Sequence, residues 1–260
     1  MFSLRKKAGS RNYHICSSVG NIRTVRSDHE IKIGSTLFKV FAGQSVHKST
    51  GTSDPEIADQ IANELSRIVL EENPVIFHRF PESQTAHLQS IQRPVVSQSL
   101  DFEGEMAVIM GEGGKHIKPD DALKHIVGYS CYNESTIREW QRHTRQFGMG
   151  KNFEKTGSFG PHMVLAEDIK DYKNLTIETR LNGEVMQNAK LSQLIFDIPI
   201  LISYVSKAMA WRAGDVLVTG TPGGVGFKRK PPIFMKPGDK VEIEITEIGI
   251  LSNTIKDEII

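Results

Sequence analysis

The stretch Leu100-Asp101-Phe102-Glu103-Gly104-Glu105 sets three carboxylates on alternating positions, and Met106-Ala107-Val108-Ile109-Met110 then runs apolar to Gly111. Side chains alternate across a strand, so Asp101, Glu103 and Glu105 share one face of extended backbone. The apolar tail drives the far end of that strand into a core. Like charges along one face repel one another unless a cation lies over them. A divalent metal held by oxygen ligands is the most economical cation. The competing reading is a solvated edge strand with its acids turned to water.

The rest of the composition narrows the classes. The chain has 260 residues, 38% hydrophobic and 24% charged, with net charge +1. That size suits one large domain, or a main domain with a small one. The charge balance points to no nucleic-acid partner, and no basic cluster is interleaved with aromatics. No apolar run has membrane length; the nearest, Ile195 to Val205, is interrupted by Asp197 and Pro199. Cys16 and Cys131 stand in no ligand-type spacing, which points to a reducing compartment without a disulfide framework. The first 27 residues contain no Asp or Glu and six Lys or Arg. They read either as a transit peptide or as a β-hairpin of Phe2-Ser3-Leu4-Arg5 and Tyr13-His14-Ile15-Cys16, and the turn spacing favours the hairpin. Localisation is accordingly expected to be cytoplasmic, or mitochondrial if residues 1–27 are a transit peptide.

Strand signals dominate. After the hairpin come Glu30-Ile31-Lys32-Ile33 and Leu37-Phe38-Lys39-Val40-Phe41. Asp54-Pro55-Glu56 opens a helix, with Ile57, Ile61, Leu65, Ile68 and Val69 at helical spacing. Residues 1–73 thus form a small N-terminal region of hairpin, loop and one helix, and residues 74–260 form the main domain. Beyond the acidic strand, Val127 to Tyr132 reads as a second core strand ending at Asn133-Glu134, and residues 135–145 read as helix. Asn182-Gly183 is the strongest hairpin turn. A helix is expected near 193–209, and strands at Asp215 to Thr219 and Lys240 to Ile245. The class is α+β, mostly β, with few helices.

Several residues can carry chemistry. Glu134, at a strand end where sites are commonly built, adds a third carboxylate to Glu103 and Glu105. Arg138 and Gln141 follow it at spacings of four and seven. An Arg there suits a substrate carboxylate, which its planar fork binds bidentately. Lys151, in the glycine-flanked loop Gly148-Met149-Gly150-Lys151, can stabilise an oxyanion or enolate beside a metal. The glycine-rich Thr219-Gly220-Thr221-Pro222-Gly223-Gly224 lacks the Gly-Lys-Ser/Thr ending of a phosphate loop and better suits close approach to a small anion. His78, His87, His143 and His162 are scattered without metal-type pairing, and no nucleophile elbow is present.

Taken together, these stretches resemble the fumarylacetoacetate hydrolase family from about Pro74 to Ile260. The carrying motifs are Asp101-Phe102-Glu103-Gly104-Glu105, Gly128 to Glu134 with Arg138-Glu139-Trp140-Gln141, Gly150-Lys151-Asn152-Phe153 with Phe159-Gly160-Pro161, Leu181-Asn182-Gly183-Glu184 with Gln187, Gly214-Asp215-Val216 through Gly224, and Lys236-Pro237-Gly238-Asp239. The resemblance implies a mixed β-roll or β-sandwich and a homodimer. It implies Mg²⁺ or Mn²⁺, sometimes Ca²⁺, on Glu103, Glu105 and Glu134, a catalytic Lys151, and substrate contacts from Arg138, Gln141 and Thr221. Two departures stand out. The third ligand is Glu134 where the family usually has Asp. The lid segment reads Gly43-Gln44-Ser45-Val46-His47-Lys48-Ser49-Thr50, which leaves His47 as the one candidate general base, with no Glu three residues later.

The expected activity is metal-dependent hydrolysis or decarboxylation of a C–C bond in a small 2-oxo or 2,4-dioxo acid, of fumarylacetoacetate, acylpyruvate or oxaloacetate type, through a stabilised enolate. The alternatives are an isomerase or tautomerase of a 2-hydroxy-dienoate, and a catalytically impaired metal-binding relative lacking the lid His/Glu pair. The expected partner is a small 2-oxo acid, with neither nucleic acid nor membrane.

Overall fold

Alternation at Lys240–Ile245 turns Val241, Ile243 and Ile245 inward, each about 1% exposed. The computed structural model describes residues 73–259, together with the backbone of four strands before them. These are β1 (Phe2–Lys6), β2 (Tyr13–Ser17), β3 (His29–Ile33) and β4 (Thr36–Val40). β1 pairs antiparallel with β2, the hairpin expected there, and β3 with β4. The expected helix after Asp54, and His47, lie outside the described residues. The chain divides into two compact units, Met1–Asn73 and Pro74–Ile260.

The second unit holds β5 (Gln84–Ala86), β6 (Ile91–Arg93), β7 (Leu100–Asp101), β8 (Gly104–Met110), β9 (Ile126–Glu134), β10 (Thr136–Ile137), α1 (Arg138–Gln141), α2 (Gly148–Lys151), β11 (Gly157–Leu165), β12 (Thr176–Leu181), β13 (Glu184–Lys190), α3 (Ile198–Ala208), β14 (Val216–Val218), β15 (Lys240–Ile245) and β16 (Gly249–Asp257). One five-stranded sheet has the order β14-β8-β9-β11-β5, the other β13-β12-β15-β16-β6. Most pairs are antiparallel, but β5 runs parallel to β11 and β6 to β16. The result is the mostly β, mixed-sheet architecture expected from the sequence. One continuous core joins Met106 and Val108 of β8 to Ile177 of β12 and Ile243 of β15. Each such buried aliphatic contributes about 1.5–3 kcal/mol of burial. The face at the start of β8 is so close to β12 that a methyl on Gly104 would collide with Thr179 Oγ1 and crowd Ile243.

The acidic stretch is not one strand. β7 pairs with β10, and β8 pairs with β9 from Gly104↔Asn133 onward. Phe102 and Glu103 lie between the two strands. Side chains capture the main chain there: Phe102 N donates to Asp101 Oδ1 at 2.9 Å, and Glu103 N donates to Asn133 Oδ1 at 3.1 Å. The shared strand face expected for Asp101, Glu103 and Glu105 is therefore broken. The helix expected at 135–145 shrinks to α1. Thr136 and Ile137, β-branched, pair with β7 instead, and Thr144 Oγ1 draws the backbone N–H of Gln146 into a local turn. The loop expected at Gly148–Lys151 is a helical turn.

α3 does start where its signals fall. Asp197 caps Ile198 N, Pro199 occupies the first turn, and Ile198, Leu201, Ile202 and Val205 face the core. No helix among the described residues is long and apolar enough to cross a membrane.

Candidate metal centre

Glu103 leaves the break between β7 and β8, Glu105 points from β8, and Glu134 ends β9. Their carboxylates offer oxygen atoms that all lie within 4.8 Å of one another. All three residues are buried, Glu103 at 6%, Glu105 at 3% and Glu134 at 5% exposure. The strand pairing produces this convergence. Glu134 N donates to Glu103 O at 2.8 Å, which fixes the end of β9 against the strand break.

Two cations meet the cluster. Lys151, the last residue of α2, is buried, and its Nζ lies 2.5 Å from Glu103 Oε2 and 2.8 Å from Glu134 Oε2. The ring of Phe77 lies 5.1 Å from the same nitrogen. A methyl on Gly150 would strike the Gln141 backbone, so glycine is what lets α2 approach α1. Arg138 reaches Glu103 Oε1 through Nη1 at 2.7 Å and Asp101 Oδ2 through Nε at 2.7 Å. Its Nη1 also donates to Gln141 Oε1 at 3.1 Å. Arg138 Nη2 is buried with no partner among the described residues.

The expected substrate residues are thus partly committed to the scaffold. Arg138 and Gln141 bond each other. The Thr221 hydroxyl donates to Gly104 O at 3.0 Å and accepts from Gln187 Nε2 at 2.8 Å. Gln187 also accepts from Gly104 N at 3.0 Å and donates to Pro222 O at 2.9 Å. One amide and one hydroxyl therefore fasten the glycine-rich loop to both main-chain groups of the residue between two acids. Gly220, at φ 99°, turns its N–H onto Glu105 Oε2 at 2.5 Å. Asp101 accepts from Gly226 N and Phe227 N, each at 2.9 Å. It is a buried anchor for that loop and for Arg138, separate from the triad.

The electrostatics favour a bound cation. Burial pushes the Glu105 carboxyl well above its ordinary range, and the charges of Glu134 and Glu103 push it further. Burial also raises Glu103, but the Lys151 and Arg138 cations outweigh it and hold the carboxyl low. Burial opposes the Lys151 charge, and Glu134, Glu103 and Glu105 together hold its ammonium above the ordinary value. Three buried carboxylates thus share cations with Asp101, and one of them stays short of positive charge. An all-oxygen donor set of this kind fits Mg²⁺, Mn²⁺ or Ca²⁺.

Other candidates fall elsewhere. His78 is exposed, His87 Nδ1 accepts from Ser252 N, His143 packs on Trp140 and His162 is exposed. None joins the acidic cluster. Phe77, Asn152 and Gln187 carry no role that the sequence alone makes plain. Asn152 accepts from Phe80 N and donates to His78 O, which ties the segment carrying Phe77 to α2. Only the Gly-Lys-Asn and Asn-Gly-Glu motifs hinted at Asn152 and Gln187, and nothing local marked Phe77.

A family model described as fumarylacetoacetate (FAA) hydrolase C-terminal matches residues 46–256, so the likeness begins upstream of Pro74. Oxaloacetate tautomerase Fahd2a, mitochondrial, of Rattus norvegicus is 41% identical over 184 residues, covering 70% of this chain and 59% of the relative. The chain therefore spans about three-fifths of the length of such curated relatives. The solved fumarylacetoacetate hydrolase of psychrophilic Exiguobacterium antarcticum superposes with a TM-score of 0.68 at 37% identity, covering 71% of this chain and 66% of that one. A fumarylpyruvate hydrolase of Pseudomonas aeruginosa in complex with Mn²⁺ and pyruvate gives a TM-score of 0.66 at 26% identity, covering 72% of this chain and 80% of that one.

Proposed function

The chain belongs to the fumarylacetoacetate hydrolase family, and from that premise we propose that it interconverts the enol and keto forms of a small 2-oxo acid of the oxaloacetate type. The observation that carries this reading is the buried Glu103–Glu105–Glu134 cluster with Lys151 Nζ bridging two of its members. A divalent cation held by those three carboxylates, Mg²⁺ or Mn²⁺ with Ca²⁺ as the third option, would supply Lewis acidity and counter-charge for the substrate's oxygens. Lys151 is kept as an ammonium by its carboxylate neighbours, so it acts as donor and charge partner for an enolate oxygen rather than as a base. Arg138 offers the partnerless Nη2 to the substrate carboxylate, while Asp101 and Glu103 fix the plane of its guanidinium. Gln141 holds Nη1 in place, and Thr221 acts indirectly by fixing the glycine-rich loop.

Tautomerisation asks only that an enolate be stabilised and one proton be moved. Hydrolysis of a C–C bond asks in addition for an activated water. Among the described residues no histidine stands at the cluster to activate one. The relatives named oxaloacetate tautomerases, at 38–41% identity, support the same preference. C–C cleavage, with His47 as general base, remains the second reading, favoured by the likeness to the fumarylpyruvate hydrolase.

The test is the decay of freshly dissolved enol-oxaloacetate, followed by its absorbance, with protein and Mg²⁺ or Mn²⁺. The expected result is acceleration over buffer and metal alone, abolished by EDTA and by Glu103→Ala. No acceleration, or acceleration indifferent to both, would overturn the reading. Formation of pyruvate at the same rate would transfer it to C–C cleavage.

A further inference from the structure

Beside the acidic cluster, three cations gather on one ring. Arg142 Cζ lies 3.9 Å from the centroid of Phe227, Lys228 Nζ lies 5.1 Å from it, and Arg138 Cζ lies 5.7 Å from it. Phe227 is not loosely placed: its N–H is bonded to Asp101 Oδ2, the oxygen that also accepts from Arg138 Nε. The ring and the substrate-side arginine hang from one buried carboxylate. The two guanidinium carbons can be no further apart than the sum of their distances to the ring.

The charges on this ring are unevenly matched. Asp101 and Glu103 neutralise Arg138. Arg142 has no carboxylate partner among the described residues, and its described contact is the aromatic face beneath it. Such stacking orients a guanidinium while leaving its N–H edge free for a planar anion. Burial and the Arg138 charge both push Arg142 below its ordinary value, and burial with both arginines does the same to Lys228. Arg142 thus stands beside two other cations with no carboxylate of its own among the described residues.

We propose that Arg142, stacked on Phe227 and flanked by Lys228, binds a second carboxylate at the far end of the substrate and makes the site selective for dicarboxylic 2-oxo acids. The inference rests on the 2-oxo acid reading above. Arg138 takes the carboxylate next to the keto group, beside the Glu103–Glu105–Glu134 centre, where a bound cation would supply the counter-charge. Arg142, one helical turn further on, takes the other end. Arg142 is a specificity residue that touches substrate, and Phe227 is a positioning residue that acts through it.

Two ligands of equal length, 2-oxoglutarate and 2-oxopentanoate, differ only in the distal carboxylate. Their binding is measured by calorimetry with Mn²⁺ on the full chain, for wild type, Arg142→Gln, Arg142→Lys and Phe227→Leu. Wild type is expected to prefer the diacid by ~10-fold or more, the scale of one charge-assisted bidentate contact. Arg142→Gln removes that preference while leaving 2-oxopentanoate within about twofold of wild type, an effect below ~0.5 kcal/mol. Arg142→Lys retains part of the preference, because the charge survives without the fork. Phe227→Leu lowers it with Arg142 intact. Equal losses for both ligands in Arg142→Gln, or an unchanged ratio, overturn the proposal while leaving the 2-oxo acid reading standing. Failure of wild type to bind either ligand overturns that reading and this proposal together.

Discussion

Lys151 Nζ stands 2.5 Å from Glu103 Oε2, with both side chains less than a tenth exposed. A buried charge that loses its partner is costly, so Lys151→Met should destabilise the protein by about 3–5 kcal/mol without added metal. The same substitution leaves the acidic cluster with one cation fewer. Mn²⁺ should then raise the melting temperature of Lys151→Met by more than it raises that of wild type. Thermal unfolding of both proteins with and without Mn²⁺ checks this. A smaller shift in the variant would mean that Lys151 helps build the cation site rather than competing for it.

Gly104 is held at both main-chain groups, by Gln187 and by Thr221, and has no room for a side chain. Gly104→Ala should cost about 2–4 kcal/mol through overpacking against Thr179. The Thr179 hydroxyl is buried with no partner, so Thr179→Ala alone should cost about 1 kcal/mol or less. The double variant should recover at least half of the loss, because the colliding oxygen is gone. Urea denaturation of the four proteins gives the coupling. Strict additivity would show that the collision is not what fixes glycine there.

How much of this was legible beforehand depends on where each residue finds its partner. β15 was readable because alternation is local, and Asn182-Gly183 because both residues take positive φ, at 53° and 84°. β16 was missed. Its interior reads Ser252-Asn253-Thr254, polar by type, yet Asn253 is buried and its amide bonds Ala86 O and Gln89 O, over 160 positions away. The acids were legible as a cluster, since three carboxylates in two motifs need a cation wherever they meet. Their division of labour was not. Asp101 leaves the triad because Gly226 and Phe227, 125 and 126 positions on, present their N–H groups to it. Lys151 looked like a loop lysine because a four-residue helical turn, shaped by close approach to Gln141, leaves no periodic signal.

Asp197 gathers three groups from two elements at the surface. It caps α3 through Ile198 N, pairs with Lys173 Nζ at 2.7 Å and accepts the Tyr172 hydroxyl. Asp197→Ala should cost about 1–2 kcal/mol, the scale of a lost N-cap. Burial raises this carboxyl, but the bonds from Lys173 and Tyr172 prevail and hold it below its ordinary 3.8. A carboxyl lowered on folding stabilises above its unfolded value and loses that stabilisation as pH falls through the folded one. The gap between wild type and Asp197→Ala should therefore be full at neutral pH and close below about 3.8. Melting curves across that range test the sign; a gap that widens on acidification would refute it.

Glu105 is the carboxylate for which the protein alone supplies least. Burial and the charges of Glu134 and Glu103 work against its ionised form, and the Lys151 charge and then the Gly220 N–H support it. Glu105→Gln keeps the shape and an acceptor for Gly220 while removing the charge. Without metal, the variant should be as stable as wild type or more so, because a buried like-charge contact has been relieved. With Mn²⁺ the order should reverse. Wild type should gain stability in proportion to the logarithm of metal concentration, and Glu105→Gln should gain little. The two titrations, read by thermal unfolding and by calorimetry, separate a carboxylate kept for a cation from one that merely fills space. An equal metal-induced shift in both proteins would remove Glu105 from the ligand set.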